Sequence, residues 1–266
     1  MIYNDHFQNY KSYQIPRAQL VIADIPYNVG KNAYGSNPSW YIGGDNKQGE
    51  SELANTEFFD TDKNFKPAEF MHFCSKMMKK EPKGRGQAPA MIIFCAFAQQ
   101  MYLIELAKKY GLNNYINIVF RKNFSAQVLK ANMRIVGNAE YALLLYRDKL
   151  PKFNNHGKMI FNIIDWIKDN ETPKIHPNQK PVKLLEKLIK IFTDEGEVVI
   201  DPVAGSGTTL LAAENCGRKA YGFEIKKNFY KDAVKLLDEQ KLIRDEIKEL
   251  GYAKTKISKY NTILFE

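Results

Sequence analysis

The chain predicts an α/β fold, a doubly wound and mostly parallel sheet with helices on both faces. Three features carry that reading. Short apolar runs rich in β-branched residues recur along the chain, as buried strands do. Stripes of apolar residues at helical spacing follow some of them. Near the C-terminus, a strand-like run passes through a Gly-rich turn into a helix opening. At 266 residues, the length suits one domain spanning 1–266, with inserted segments.

In chain order, the predicted strands are "AQLVIAD" ending at Asp24, "AMIIFCAF", "INIVF", "AEYALLLYR" and "EVVID" ending at Asp201. "VKLLEKLIKIF" sets Val182, Leu185, Leu188, Ile189 and Phe192 on one helical face. A second stripe runs through Phe229, Ala233, Leu236, Leu237, Gln240, Ile243, Ile247 and Leu250. Two segments fall outside this alternation. Residues 28–66 are rich in Gly, Asn, Ser and Asp and read as a long loop, a length that points to function or disorder. Residues 151–175 lack a clear period. The tail "KISKYNTILFE" suits an added edge strand.

Composition narrows the class. No apolar run approaches the roughly 20 residues of a membrane span, and "MIYNDHFQNYK" lacks a basic stretch followed by an apolar one, so no secretion signal is expected. Cys74, Cys95 and Cys216 are too few and too scattered for a disulfide framework or a zinc site. The expectation is a cytoplasmic protein with reduced thiols and no metal. Net charge is +9, and residues 121–180 carry 11 Lys/Arg against 5 Asp/Glu. A basic surface concentrated there suits a polyanion, since each neutralised phosphate releases counterions.

"EVVIDPVAGSGTTLLAAENCG" is the most informative passage. Its glycines let a ligand approach the backbone at the carboxyl end of a strand. It lacks the lysine of a phosphate-binding P-loop. Position 210 is Leu where a dinucleotide fingerprint wants Gly or Ala. Seventeen residues after Gly207, "KAYGFEI" ends a second strand at Glu224, placed to accept hydrogen bonds from ribose hydroxyls. An adenosine ligand without a phosphate chain fits, and S-adenosylmethionine is the candidate.

Together, "DPVAGSGTT", "DIPY" at 24–27 and "HPNQKPVKLLEKLI" resemble the motifs of amino-group DNA methyltransferases, which modify adenine N6 or cytosine N4. The tetrapeptide precedes the cofactor loop, an order similar to that of the beta class, whose target-recognition segment lies between the two. The resemblance spans nearly the whole chain, from "IYND" to the helix near Leu250. It implies a permuted, Rossmann-like methyltransferase fold with a small inserted target-recognition segment. It also implies that Asp201, Ala204, Gly205, Ser206, Gly207 and Thr208 surround the methionine and ribose, and that Glu224 holds the ribose. Asp5 and His6 would lie near the cofactor adenine, Asp24 would contact the cofactor as well as the target, and Lys180 would lie beside the cofactor carboxylate.

On that resemblance, Asp24, Ile25, Pro26 and Tyr27 form the catalytic tip. An exocyclic amino group is a weak nucleophile because its lone pair is delocalised into the ring. The Asp24 carboxylate and the Ile25 carbonyl supply two acceptors that favour a pyramidal nitrogen. Tyr27 offers a ring for stacking, and π density tolerates the developing cation. Methyl transfer is then a direct displacement governed by positioning. Ile25 stands where the family's commonest pattern has Pro, which bears on rigidity while leaving the carbonyl in place. Asp at position 24 favours adenine N6 over cytosine N4. None of the cysteines follows a proline, which argues against cytosine-C5 chemistry.

A duplex base must flip out to reach such a pocket. The 28–66 loop, with Tyr34, Trp40 and Tyr41, is a candidate to close over it; three lysines against six acids over 28–65 make it a poor phosphate binder. Arg121, Lys122, Lys130 and Arg134 are the candidate phosphate contacts, within a DNA-contact region at 121–175. The expected substrate is double-stranded DNA, with single strands and RNA left open. A homodimer and a cognate restriction endonuclease are possible partners. A non-catalytic nucleic-acid-binding module is the remaining alternative, disfavoured because the tip and the cofactor loop are both intact.

Overall fold

The computed structural model describes residues 1–27, 65–123, 127–130, 135–176 and 178–263, of which 127–130, 135–136 and 251–263 are described as backbone only. The 28–66 loop therefore lies outside the described residues up to position 64, as does Arg134.

Strand β1 is Ile2–Tyr3, β2 Leu20–Asp24, β3 Ala90–Cys95 and β4 Asn114–Lys122. A small hairpin, β5 (Gln127–Lys130) and β6 (Ile135–Gly137), precedes β7 (Ala139–Tyr146) and β8 (Ile163–Trp166). Then come β9 (Val198–Asp201) and β10 (Lys219–Phe223). The helices are α1 (Pro67–Met77), α2 (Gln100–Lys109), α3 (Val182–Phe192), α4 (Thr208–Asn215) and α5 (Lys227–Ile263).

The main sheet has the order β1-β10-β9-β2-β3-β7-β4-β8, and β5 and β6 form a separate pair. Only β7 runs antiparallel within it, to both β3 and β4. The other pairings among the described strands are parallel. The predicted doubly wound sheet is present, and its layering follows from the pleat. Because side chains alternate along a strand, Leu20 and Ile22 face one side with Ile92 and Phe94, against α3 and α4. Val21 and Ala23 face the other with Met91, Ile93 and Cys95, against α1 and α2. Both faces are buried, as the continuous apolar runs require.

Helix α3 has the predicted bounds, and its start is capped by Asp169, whose Oδ2 accepts from the Val182 N–H at 3.1 Å. One expectation fails. The tail is no edge strand: α5 continues through it to Ile263. Its stripe packs through Ala233, Leu236 and Leu237, while Ile243, Ile247 and Leu250 are exposed, so the helical period outruns the core. Within 121–175, β7 and β8 are strands of the main sheet. No helix among the described residues is long and apolar enough to cross a membrane.

Candidate active site

Parallel strands bring their carboxyl ends to one edge. Asp24 ends β2, Asp201 ends β9, and Glu224 follows β10; β2 and β9 are adjacent and parallel although far apart in the chain, so their carboxyl ends form the two sides of one crevice. Ligands of doubly wound folds bind at such a crevice.

On the β9 side the chain turns sharply. Gly205 and Gly207 hold φ of 51° and 73°, conformations that cost other residues energy. The Ala204 N–H donates to the Phe223 carbonyl and the Gly207 N–H to the Ala204 carbonyl, both at 2.8 Å. Ser206 and Thr208 hydroxyls lie 3.3 Å apart at the opening of α4. Glu224 ties the second strand to the loop: its Oε2 accepts from the Gly205 N–H at 2.9 Å, and Oε1 from the Lys226 N–H at 2.7 Å. Burial pushes the Asp201 carboxyl up to about 7, opposed by the Thr209 hydroxyl and the Val203 N–H.

These residues fit S-adenosylmethionine. A Cβ built on Gly205 would meet nothing nearer than His176 Nε2 at 4.0 Å, so the loop leaves room for a ligand against its backbone. Glu224 stands at the tip where ribose hydroxyls are held, and the loop carries no lysine for a phosphate chain.

The N-terminal segment joins this edge because β1 pairs with β10 and the Asn4 side chain donates to the Glu224 carbonyl at 2.8 Å. Asp5 follows at once. Its carboxylate accepts from Asn9, Tyr13 and the His6 N–H, and the two side-chain bonds lead in holding its pKa down. His6 caps a short 3-10 helix, accepting from the Gln8 N–H, and burial lowers its pKa.

On the β2 side lies a buried chain of charges. Lys180 Nζ donates to Asp24 Oδ2 at 2.5 Å and to Glu140 Oε2 at 3.4 Å. Lys122 is ion-paired to Glu140 Oε1, and its ammonium lies 4.5 Å from the Trp166 ring centre. The Tyr27 hydroxyl donates to Glu140 Oε2 across 3.3 Å. Burial raises the Asp24 pKa, and the Lys180 ammonium opposes it. Asp24 Oδ1 is buried without a hydrogen-bond partner among the described residues. Behind the tip, the Gln99 amide donates to the Pro26 carbonyl at 2.9 Å, and the Ile25 N–H is tied to the Phe94 carbonyl at 3.3 Å.

A model of the DNA methylase family matches residues 18–235. The chain belongs to this family. It is similar to the DNA adenine methyltransferase YhdJ of Escherichia coli K12, 25% identical over 260 residues, covering 90% of this chain and 82% of that protein. It is also similar to the type II methyltransferase M2.DpnII of Streptococcus pneumoniae, 43% identical over 107 residues, 38% of this chain and 39% of the relative. Among solved structures, the M1.HpyAVI–SAM complex superposes with a TM-score of 0.62 at 24% identity, covering 89% of this chain and 98% of that one. The cytosine-N4-specific PvuII DNA methyltransferase gives 0.61 at 18% identity, covering 88% and 84%. These two likenesses show a shared fold.

For the methylase's DNA contacts, one sequence expectation is overturned. Lys122 is buried in the charge chain, because β4 alternates and puts Ile118, Phe120 and Lys122 on the inner face. Arg121, on the outer face, is exposed and paired with Asp165 at 2.7 Å. Lys130 ends β5, which pairs with β6 in a separate two-stranded sheet. Glu140 was not foreseen, since it begins a strand where the other site residues end theirs. His176 was also passed over, although it opens the "HPNQKP" motif; burial lowers its pKa to about 4, so it stays neutral near the loop.

Proposed function

We propose that this methylase transfers a methyl group from S-adenosylmethionine to N6 of an adenine flipped out of double-stranded DNA at a specific sequence. The observation that carries this reading is Asp24 Oδ1 at the crevice, buried and without a hydrogen-bond partner among the described residues, beside Tyr27 and next to a loop that fits the cofactor. A buried carboxylate oxygen without a donor is costly, and a substrate amino group supplies one.

In this mechanism Lys180 occupies Oδ2, leaving Oδ1 to accept one N–H of the target amino group. The Ile25 carbonyl accepts the other, while the Pro26 carbonyl is committed to Gln99. Withdrawal of both hydrogens out of the ring plane localises the nitrogen lone pair. Tyr27, fixed through its hydroxyl on Glu140, provides the stacking face. S-adenosylmethionine, when bound, supplies a sulfonium-activated methyl group for in-line displacement. The raised pKa of Asp24 suits it to take the proton that the alkylated nitrogen then loses.

The name of YhdJ supports adenine, and the type II names of other relatives support a partnership with a restriction endonuclease. The test is incubation of the purified protein with unmethylated DNA and methyl-labelled S-adenosylmethionine, followed by nucleoside analysis. Label on N6-methyladenine, absent with Asp24→Ala, is the expected result. Label confined to cytosine N4 would overturn the base assignment, and label in RNA alone would overturn the substrate.

A further inference from the structure

The mechanism above takes Asp24, Tyr27 and Lys180 as its working groups and Glu140 only as the partner of the Tyr27 hydroxyl, but the buried chain of charges runs on through Glu140 to Lys122. Lys122 and Lys180 each have side chains under one-tenth exposed, and both reach the same carboxylate, Glu140. Burying two ammonium groups is costly unless their charges are paired and their N–H donors satisfied. Read along the chain, the charges alternate: Asp24, Lys180, Glu140, Lys122. The assembly is neutral overall.

The topology explains how four distant residues meet. β7 runs against its neighbours, so its first residues lie at the same edge where β3 and β4 end, with Phe120 opposite Glu140 and Cys95 opposite Tyr141. Lys122, two residues beyond Phe120, shares its face. Glu140 is thereby delivered to the catalytic edge by the one strand that points the wrong way.

We propose that Glu140, neutralised by Lys122, is a positioning residue for methyl transfer: it anchors Lys180 on Asp24 Oδ2 and Tyr27 by its hydroxyl, thereby setting both the free acceptor oxygen and the stacking face. This rests on the reading of Asp24 as the acceptor for the target amino group. An ammonium has three donors, and Glu140 takes one of them at a fixed angle to Asp24, which a single ion pair does not do. The pairing also separates two roles. Glu140 alone would add a second negative charge beside Asp24, and Lys122 cancels it.

The groups that act electrostatically on Asp24 are Lys180, Glu140 and Tyr27, with Cys95 and Asp201 nearby. Glu140 raises the Asp24 pKa and Lys180 lowers it. Removing the Glu140 charge therefore moves Asp24 downward. Removing the Lys122 charge leaves Glu140 uncompensated, draws Lys180 toward it and moves Asp24 upward.

The experiment is a pair of titrations on the full-length protein. The first follows the acid limb of single-turnover DNA methylation in wild type, Glu140→Gln, Lys122→Met and Lys122→Arg. The second follows the Asp24 carboxyl carbon by NMR in 13C-aspartate-labelled protein without substrate, with Asp24→Asn identifying the resonance. Both readouts should shift down for Glu140→Gln, up for Lys122→Met, and remain near wild type for Lys122→Arg, with shifts of about half a unit or more. Limbs that coincide in all four proteins would overturn the proposal. Because the NMR titration needs no turnover, an inactive wild type with shifted carboxyl titrations overturns the functional reading and spares the charge chain. Unmoved titrations in an active enzyme do the reverse. Should Lys122→Met fail to fold, Glu140→Gln against Lys122→Arg decides alone.

Discussion

Lys180 Nζ lies 2.5 Å from Asp24 Oδ2, joining residues 156 positions apart at one edge of the sheet. The motif resemblance placed this lysine beside the cofactor carboxylate; the structure sets its ammonium on the Asp24 carboxylate. Lys180→Met leaves Asp24 and Glu140 facing each other without the cation between them. Breaking a buried pair in this way costs about 3 kcal/mol or more at neutral pH. Denaturant melts should show that loss, and it should shrink as the pH falls and the carboxyls protonate.

Asp24→Asn tests the acceptor chemistry with little change of shape. The amide keeps an oxygen, but its NH2 group opposes the substrate amino group or Lys180. A transition-state interaction of this kind is worth about 10²- to 10³-fold in rate. Single-turnover methylation should fall by that much, while S-adenosylmethionine affinity by calorimetry stays within a few-fold. Equal losses in affinity and rate would assign Asp24 to cofactor binding instead.

Gly222 permits the close approach of β10 to the cofactor loop. A Cβ there would meet Leu210 Cδ1 at 3.0 Å, and Ala204 Cβ and the Asp201 carbonyl at 3.1 Å. Two of those neighbours belong to the predicted cofactor set. Gly222→Ala should destabilise the fold by about 1–3 kcal/mol, as overpacking does, and should weaken S-adenosylmethionine binding by displacing the loop. Thermal melts with and without cofactor separate the two effects.

Much of the site was legible because parallel strands announce themselves: an apolar run ending in Asp24, and another ending in Asp201, mark positions at a common edge. The Gly-rich turn and Glu224 were readable for the same reason. Glu140 was not. It opens "EYALLLY", where the sequence shows a strand beginning and gives no sign that the strand runs antiparallel. Lys122 misled for a related cause. A lysine near the end of a half-exposed strand looks solvated, and only the register of β4 against β7 turns it inward toward Glu140. The stripe of α5 overreached because a helical period records amphipathicity and is silent on where the packing partner stops.

Asp201 supplies a pH signature of the fold. Burial lifts its pKa from 3.8 to about 7, so the folded chain keeps a proton that the unfolded chain releases near 4. Where the native state binds more protons, stability falls as pH rises. The contribution is therefore greatest below about pH 4, declines through the interval up to about 7, and is level above it. Three units correspond to on the order of 4 kcal/mol at most. Asp201→Asn removes the ionisable group while retaining an oxygen for the Val203 N–H. Asp24 is raised as well and adds a slope of the same sign, so the difference between the two proteins is the quantity to read. Urea melts at pH 5.5 and 8.5 should show wild type losing more stability than Asp201→Asn over that interval. Parallel losses would mean that Asp201 is ionised throughout, with a charge partner strong enough to overcome its burial.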